Sequence, residues 1–241
     1  MAALIFAPLA FGAVRVWALG PIVLIVWAAT MLWVVRVATV YNVPVIFSAL
    51  GAPVLLATTY VIVRYGLSDV ESLARFDLFT AITSTLVFFL VANNVRHRWQ
   101  ITAMLWTWVA LGVFIAVYGI AQVIGAFDDV WWFPQYEGYR GHASGTFINP
   151  AHYAAYLQMI VPLAAANFLF SRRSFIQKVG LFFASLLMSA GLLLSFSTGM
   201  WLGWLASLIV LAVYVVRRRG SKFRWAVIGD RTVWEAPGRF S

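Results

Sequence analysis

The sequence has no cysteine, and only 10% of its 241 residues are charged. Without cysteine there is no disulfide framework, no thiolate metal site and no thiol nucleophile. A soluble domain carries about 25% charged residues and is about half apolar. Here 63% of the residues are hydrophobic and mean hydropathy is +0.89. That is more apolar surface than a soluble core could bury, which excludes a water-soluble enzyme. Intrinsic disorder is excluded too, because it requires low hydrophobicity and high net charge. Also lacking are a Walker-type glycine loop, a His/Glu pair with zinc-ligand spacing on one helix face, and an internal repeat.

What is present in abundance is aromatic and aliphatic: 12 Trp, 19 Phe and 9 Tyr. The net charge of +9 suggests nucleic acid until it is located. Residues 217–241 hold seven Lys/Arg against two acids, and the remaining excess is spread over short loops. This is the charge pattern of loops bordering a membrane, and no nucleic-acid partner is expected.

A helix crossing about 30 Å of hydrocarbon needs about 20 mostly apolar residues. Such runs occur at 17–37, 43–63, 76–95, 101–125 and 151–170, and a longer one at 179–216. As one helix the last would reach about 57 Å at about 1.5 Å per residue. Its one polar, glycine-containing point near the middle is Ser195 to Gly199, SFSTG, so a tight turn is expected there, splitting it into a hairpin. Residues 2–13 are apolar but short, contain Pro8 and have no preceding Lys or Arg. They are open to reading as a clipped first helix, a re-entrant piece or an interfacial segment. The expected fold is therefore an all-α, polytopic transmembrane bundle of about 7–8 spans over residues 1–216. A basic cytoplasmic tail follows at 217–241.

Lys and Arg accumulate on the cytoplasmic side of short loops. Arg36, Arg96 with Arg98, Arg172 with Arg173 and Lys178, and Arg217 onward all fall on one side of the eight-span count. The alternate linkers mix signs: Arg64 and Arg75 with Asp69, Glu71 and Asp77, then Asp128, Asp129 and Glu137 with Arg140. The pattern predicts a cytoplasmic N-terminus and tail, with 64–77 and 126–150 facing outward. Trp99, Trp106, Trp131, Trp132 and Trp201 lie near span ends, where indoles favour the headgroup zone. Span interiors hold no Asp, Glu, Lys or Arg, which argues against a proton-coupled transporter or cation channel. Gln122, Gln158 and Asn167 remain inside spans, each read as an interhelical hydrogen-bonder.

The outer loop 126–150 and the helix start after it hold the candidate chemistry. Gly138, Gly141 and Gly145 make the backbone permissive. Asn149-Pro150 reads as an N-cap with proline at the first helical position. The free N–H groups of a helix N-terminus favour an anion, and Arg140 just upstream is able to grip a phosphate or carboxylate through two parallel hydrogen bonds. His142 and His152 lie close in sequence. Together Arg140, His142, Asn149 and His152 are candidate binding residues for a diphosphate. Each also has a plain structural reading: a headgroup contact for the arginine, hydrogen-bonding for the histidines, a cap for the asparagine.

The run from Arg140 to Leu157, RGHASGTFINPAHYAAYL, resembles the "R…GTF-x-NPNH…AxxL" segment of the O-antigen ligase and polymerase family of bacterial polytopic membrane proteins. Three further segments resemble the family's in order: Phe11 to Ala18, FGAVRVWA; Tyr118 to Gln122, YGIAQ; and Ser195 to Gly203, SFSTGMWLG. The resemblance covers about residues 1–216. It implies transfer of a glycan from an undecaprenyl-diphosphate carrier to lipid A–core or another acceptor at the periplasmic face of the bacterial inner membrane. Neither metal nor cofactor is implied; the implied partners are the lipid-linked glycan, its acceptor and membrane lipids. Arg140 would hold the carrier diphosphate. Ala151 stands where the family usually has Asn, and Thr198 where it often has Arg, which removes a second phosphate contact. Family members are commonly longer, and the loop carrying their histidine base follows the part resembled here. The resemblance thus implies a truncated chain that keeps part of the donor site, with His142 the remaining candidate for a base. The other expectation is a non-catalytic subunit that binds a lipid-linked carrier, or one half of a split enzyme.

Overall fold

The computed structural model describes residues 2–41, 43–125, 127 and 129–220. Of the sequence features above, Asp128 and residues 221–241 of the basic tail lie outside the described residues. Among the described residues eight α-helices follow one another: α1 Ala2–Leu9, α2 Val16–Thr39, α3 Gly51–Gly66, α4 Glu71–Asn94, α5 Arg98–Gly125, α6 Pro150–Phe170, α7 Phe175–Leu193 and α8 Thr198–Gly220. The chain is an all-α polytopic bundle. Helix is the expected outcome for such apolar runs, because hydrocarbon offers no partner for a backbone N–H or C=O.

Among the described residues six helices are long and apolar enough to cross a membrane: α2, α4, α5, α6, α7 and α8. Their outer faces are apolar, with Leu24 and Leu32 each 72% exposed and Leu202 70%. Water would not tolerate such faces on this scale; lipid does.

The expected span at 43–63 is shorter than its apolar run. Residues 43–48 are non-helical, and α3 has 16 residues, about 24 Å at about 1.5 Å per residue. Pro44 cannot donate a backbone hydrogen bond, and the buried Asn93 of α4 offers this segment other partners. Its Oδ1 accepts from Ile46 N at 2.7 Å and its Nδ2 donates to Ile46 O at 3.3 Å. Residues 2–13 form the eight-residue α1 and a 3-10 turn at Phe11–Ala13. As helix, α1 reaches only about 12 Å. The hairpin expected at Ser195–Gly199 is present, with α7 ending at Leu193 and α8 starting at Thr198. Helix α8 runs on past residue 216 to Gly220, so the first basic residues of the tail continue the helix.

The core lies between α5, α6 and α7. Leu105, Val109, Ile115 and Ala116 meet Tyr153, Leu157, Ile160 and Val161, then Leu181, Met188 and Leu192, all buried. Small residues let these backbones close up. A Cβ on Gly119 or on Gly191 would come within 2.5 Å of the Tyr153 hydroxyl oxygen. Helix α8 flanks α6, with Phe170 and Tyr214 rings edge-to-face at 5.3 Å. Helices α2 and α3 pack on α4, and Thr58 and Thr85 hydroxyls meet at 2.5 Å across α3 and α4.

Two ends follow from this order. Loops 10–15, 129–149 and 194–197 gather at one, here the loop end: Trp131 Nε1 donates to Leu9 O at 3.0 Å and Ala143 N to Leu194 O at 2.9 Å. At the other, the basic end, Arg96 Nη2 donates to Pro44 O at 2.9 Å and the Arg173 guanidinium lies 5.2 Å above the Trp106 ring.

Candidate functional site

The loop end is assembled around one amide. Gln122, on the last turn of α5 and 3% exposed, sits beneath loop 129–149. Its Oε1 accepts from Gly145 N at 2.8 Å, Ser144 N at 3.1 Å and Ser144 Oγ at 3.4 Å. Its Nε2 donates to Asp129 O at 3.0 Å and Gly145 O at 3.2 Å. A buried loop must satisfy its backbone polar groups, and here a side chain replaces the ladder of a helix or sheet. Gln122 therefore works within its own end of the bundle rather than between helices. Asn167 likewise donates along its own helix, to Leu163 O at 3.0 Å. Gln158 does face another helix, for a Cβ on Gly203 of α8 would meet its Nε2 at 2.0 Å.

The loop opens with a two-stranded ladder, β1 Asp129–Val130 against β2 Phe133–Pro134, antiparallel, with Val130 opposite Phe133. Tyr118, one turn before Gln122, accepts from Trp131 N at 3.1 Å through its hydroxyl oxygen and donates to Asp129 O at 3.2 Å. Beneath the ladder, Phe11 is 1% exposed and contacts Trp17, Trp132 and Phe133 edge-to-face at 5.5–5.8 Å. Thr146 Oγ1 donates to Pro8 O at 2.6 Å. Gly145 has φ +53°, and a Cβ there would lie 2.9 Å from Ile115 O. Only glycine meets both demands at low cost.

The predicted site residues lie on this framework in different settings. Arg140 is exposed, with Nη2 4.0 Å from Glu137 Oε1 in a loose i,i+3 pair. His142 is half-buried, its ring edge-to-face with Phe196 at 5.3 Å. Its Nδ1 is buried and has no hydrogen-bond partner. Asn149 caps α6 as its sequence suggests: Oδ1 accepts from Ala151 N at 2.8 Å, with Pro150 as the first helical residue. His152 is exposed on the first turn of α6. Tyr156 OH, on the second turn of α6, and Trp201 Nε1, on the first turn of α8, are also buried without partners. Both can donate, so the orphaned polar atoms near this end are mostly of the kind that suits an anion.

Sequence reasoning placed Tyr118 and Tyr156 in segments that resemble the ligase family but gave them no role, and it missed the organising role of Gln122. For Gln122 the signal was its isolation, a lone amide near the end of an apolar run. Among the described residues, no three of His, Asp and Glu are grouped so as to hold a metal ion. Compared with known proteins, the chain matches no family model, no curated protein and no solved structure.

Proposed function

We propose that the loop end binds the diphosphate of a polyprenyl-linked glycan. The chain is then the donor-binding part of an O-antigen-ligase-type transfer at the outer face of a bacterial inner membrane. One observation carries this reading. The four segments that resemble the ligase family are far apart in sequence and meet in space. Gly12 faces Phe147, where a Cβ would be 2.4 Å away. Gln122 holds Ser144 and Gly145. His142 rests on Phe196. A likeness confined to composition gives no reason for those segments to converge. Where they converge there is an exposed arginine, a capped helix N-terminus and buried polar atoms without partners, a combination suited to phosphate oxygens.

A second reading, a carrier-binding subunit without catalysis, is favoured by His142. A general base must have its tautomer and orientation fixed by a partner, and Nδ1 has none.

The test is binding of a polyprenyl-diphosphate probe to the purified chain. A charge-assisted contact is worth about 1.5–3 kcal/mol, so Arg140→Ala should weaken binding about tenfold to a hundredfold. Arg140→Lys should recover part of the loss, because the planar fork is gone. Equal affinity of wild type and Arg140→Ala would return Arg140 to a headgroup contact. Transfer is read separately, by gel shift with lipid-linked glycan and a lipid A–core acceptor. Turnover that depends on His142 would reject the carrier-binding reading.

A further inference from the structure

At the basic end, a groove of about 350 Å³ opens between the end of α2, the extended segment after it and the α4–α5 turn. Trp33, Arg36, Tyr41, Arg96, His97 and Gln100 are among the residues lining it, and none of its lining residues is acidic. The described acids lie elsewhere: Asp69, Glu71 and Asp77 at the α3–α4 turn and first turns of α4, Asp129 and Glu137 at the loop end. Among the described residues, no carboxylate lies in the groove beside Arg36 and Arg96.

Arg96 is fixed in place. Its Nε donates to Asn93 O at 3.0 Å and its Nη2 to Pro44 O at 2.9 Å. Those two bonds use two of the five N–H donors of a guanidinium. Gln100 Oε1 accepts from Arg96 N at 2.9 Å and His97 N at 3.0 Å, which leaves its amide nitrogen as the donor end. Arg36 is exposed on the last turn of α2. The groove thus offers N–H donors from several side chains and no negative charge to repel an anion. Val40, in its lining, and Val34 and Val35, next to Arg36 along α2, are each more than half exposed, an apolar surface able to carry acyl chains.

We propose that this groove is a binding site for a phosphate ester, and that the ester is the headgroup of an anionic membrane lipid. Two arginines with polar neighbours recognise phosphate through charge-assisted, often bidentate hydrogen bonds. Basic pockets between membrane helices recognise anionic headgroups in this way. The site is separate from the loop end and does not depend on the function proposed there.

Native mass spectrometry of the full chain released from detergent reads the ligand directly. The probes are phosphatidylglycerol, phosphatidylcholine and soluble glycerol 3-phosphate. Wild type should retain phosphatidylglycerol over phosphatidylcholine, and Arg36→Gln should raise the apparent Kd for it at least fivefold. Arg96→Gln should raise it further. Because Arg96 also ties residues 43–46 to α4, Arg36→Gln with an unchanged melting temperature is the decisive variant. Glycerol 3-phosphate binding that matches the lipid's and falls in Arg36→Gln would keep the phosphate site but overturn the lipid as its source. Equal retention of phosphatidylglycerol by wild type and Arg36→Gln, or of phosphatidylcholine and phosphatidylglycerol by wild type, overturns the proposal.

Discussion

The two ends of the bundle solve one problem with the same device and end in different chemistry. Each must hold non-helical backbone beside hydrocarbon, and each does so with one buried carboxamide projecting from a helix. At the loop end Gln122 serves both backbone groups of Gly145, together with Ser144 N and Asp129 O. At the basic end Asn93 serves both backbone groups of Ile46. An amide is suited to this because it presents an acceptor and two donors on one plane. The difference lies around the amide. Gln122 supports a long, glycine-containing loop of mixed charge, packed on aromatics and fully buried at Ser144 and Thr146. Asn93 supports a short, half-exposed segment beside a groove lined by Arg36, Arg96 and no acidic residue. The first setting is a partly buried, tightly held loop; the second borders a groove whose charged lining is basic.

The largest effect is all-or-none. If the ends face opposite sides of a membrane, single cysteines at Gly138 and Ser174 must differ in reach of an impermeant thiol reagent. The chain has no native cysteine to interfere. In intact spheroplasts Gly138→Cys should label and Ser174→Cys should not. The reverse pattern would invert the orientation drawn from the positive-inside pattern.

Next in size is Gln122→Leu. It leaves Ser144 N, Gly145 N, Gly145 O and Asp129 O without that partner, and a buried polar group left unsatisfied costs about 1–3 kcal/mol. The variant should melt well below wild type in detergent, or fail to accumulate. A wild-type melting temperature would mean that the loop is held by its aromatic contacts instead.

Asn93→Leu sharpens the comparison from the other end. The same kind of bond is lost, but Ile46 is half-exposed, so water can replace the amide. About 1 kcal/mol is expected. Limited proteolysis should show faster cutting at residues 43–50 with little change at the loop. Destabilisation as large as that of Gln122→Leu would erase the distinction between the ends.

The smallest effect belongs to Glu71 and Arg75, an exposed i,i+4 ion pair at the start of α4. The guanidinium holds the Glu71 carboxyl below its usual range. Any stabilisation is thus present above the ordinary carboxylate pKa and lost as pH falls through the lowered one. Exposed pairs contribute little, so Glu71→Gln should leave the melting temperature at neutral pH unchanged.

Much was determined by the sequence alone, because its signals are local. Apolar run length fixes α2, α4, α5 and α6, since lipid permits little but helix. Asn149-Pro150 fixes the start of α6, because an N-cap and a proline at the first position act within one turn. Ser195 to Gly199 marks the break before α8, since one helix of that length would overrun the bilayer. Tertiary structure decided what depends on partners distant in the chain. The apolar run at 43–63 is helical only from Gly51, because Asn93 takes up the Ile46 backbone groups 47 residues away in sequence. Gln122 read as a bond between helices and is the clamp of a loop, since residues 129–149 fold back onto α5. The setting of Arg140, His142 and His152 was likewise beyond sequence reach: spacing gives proximity along the chain, and burial is set by what packs above it.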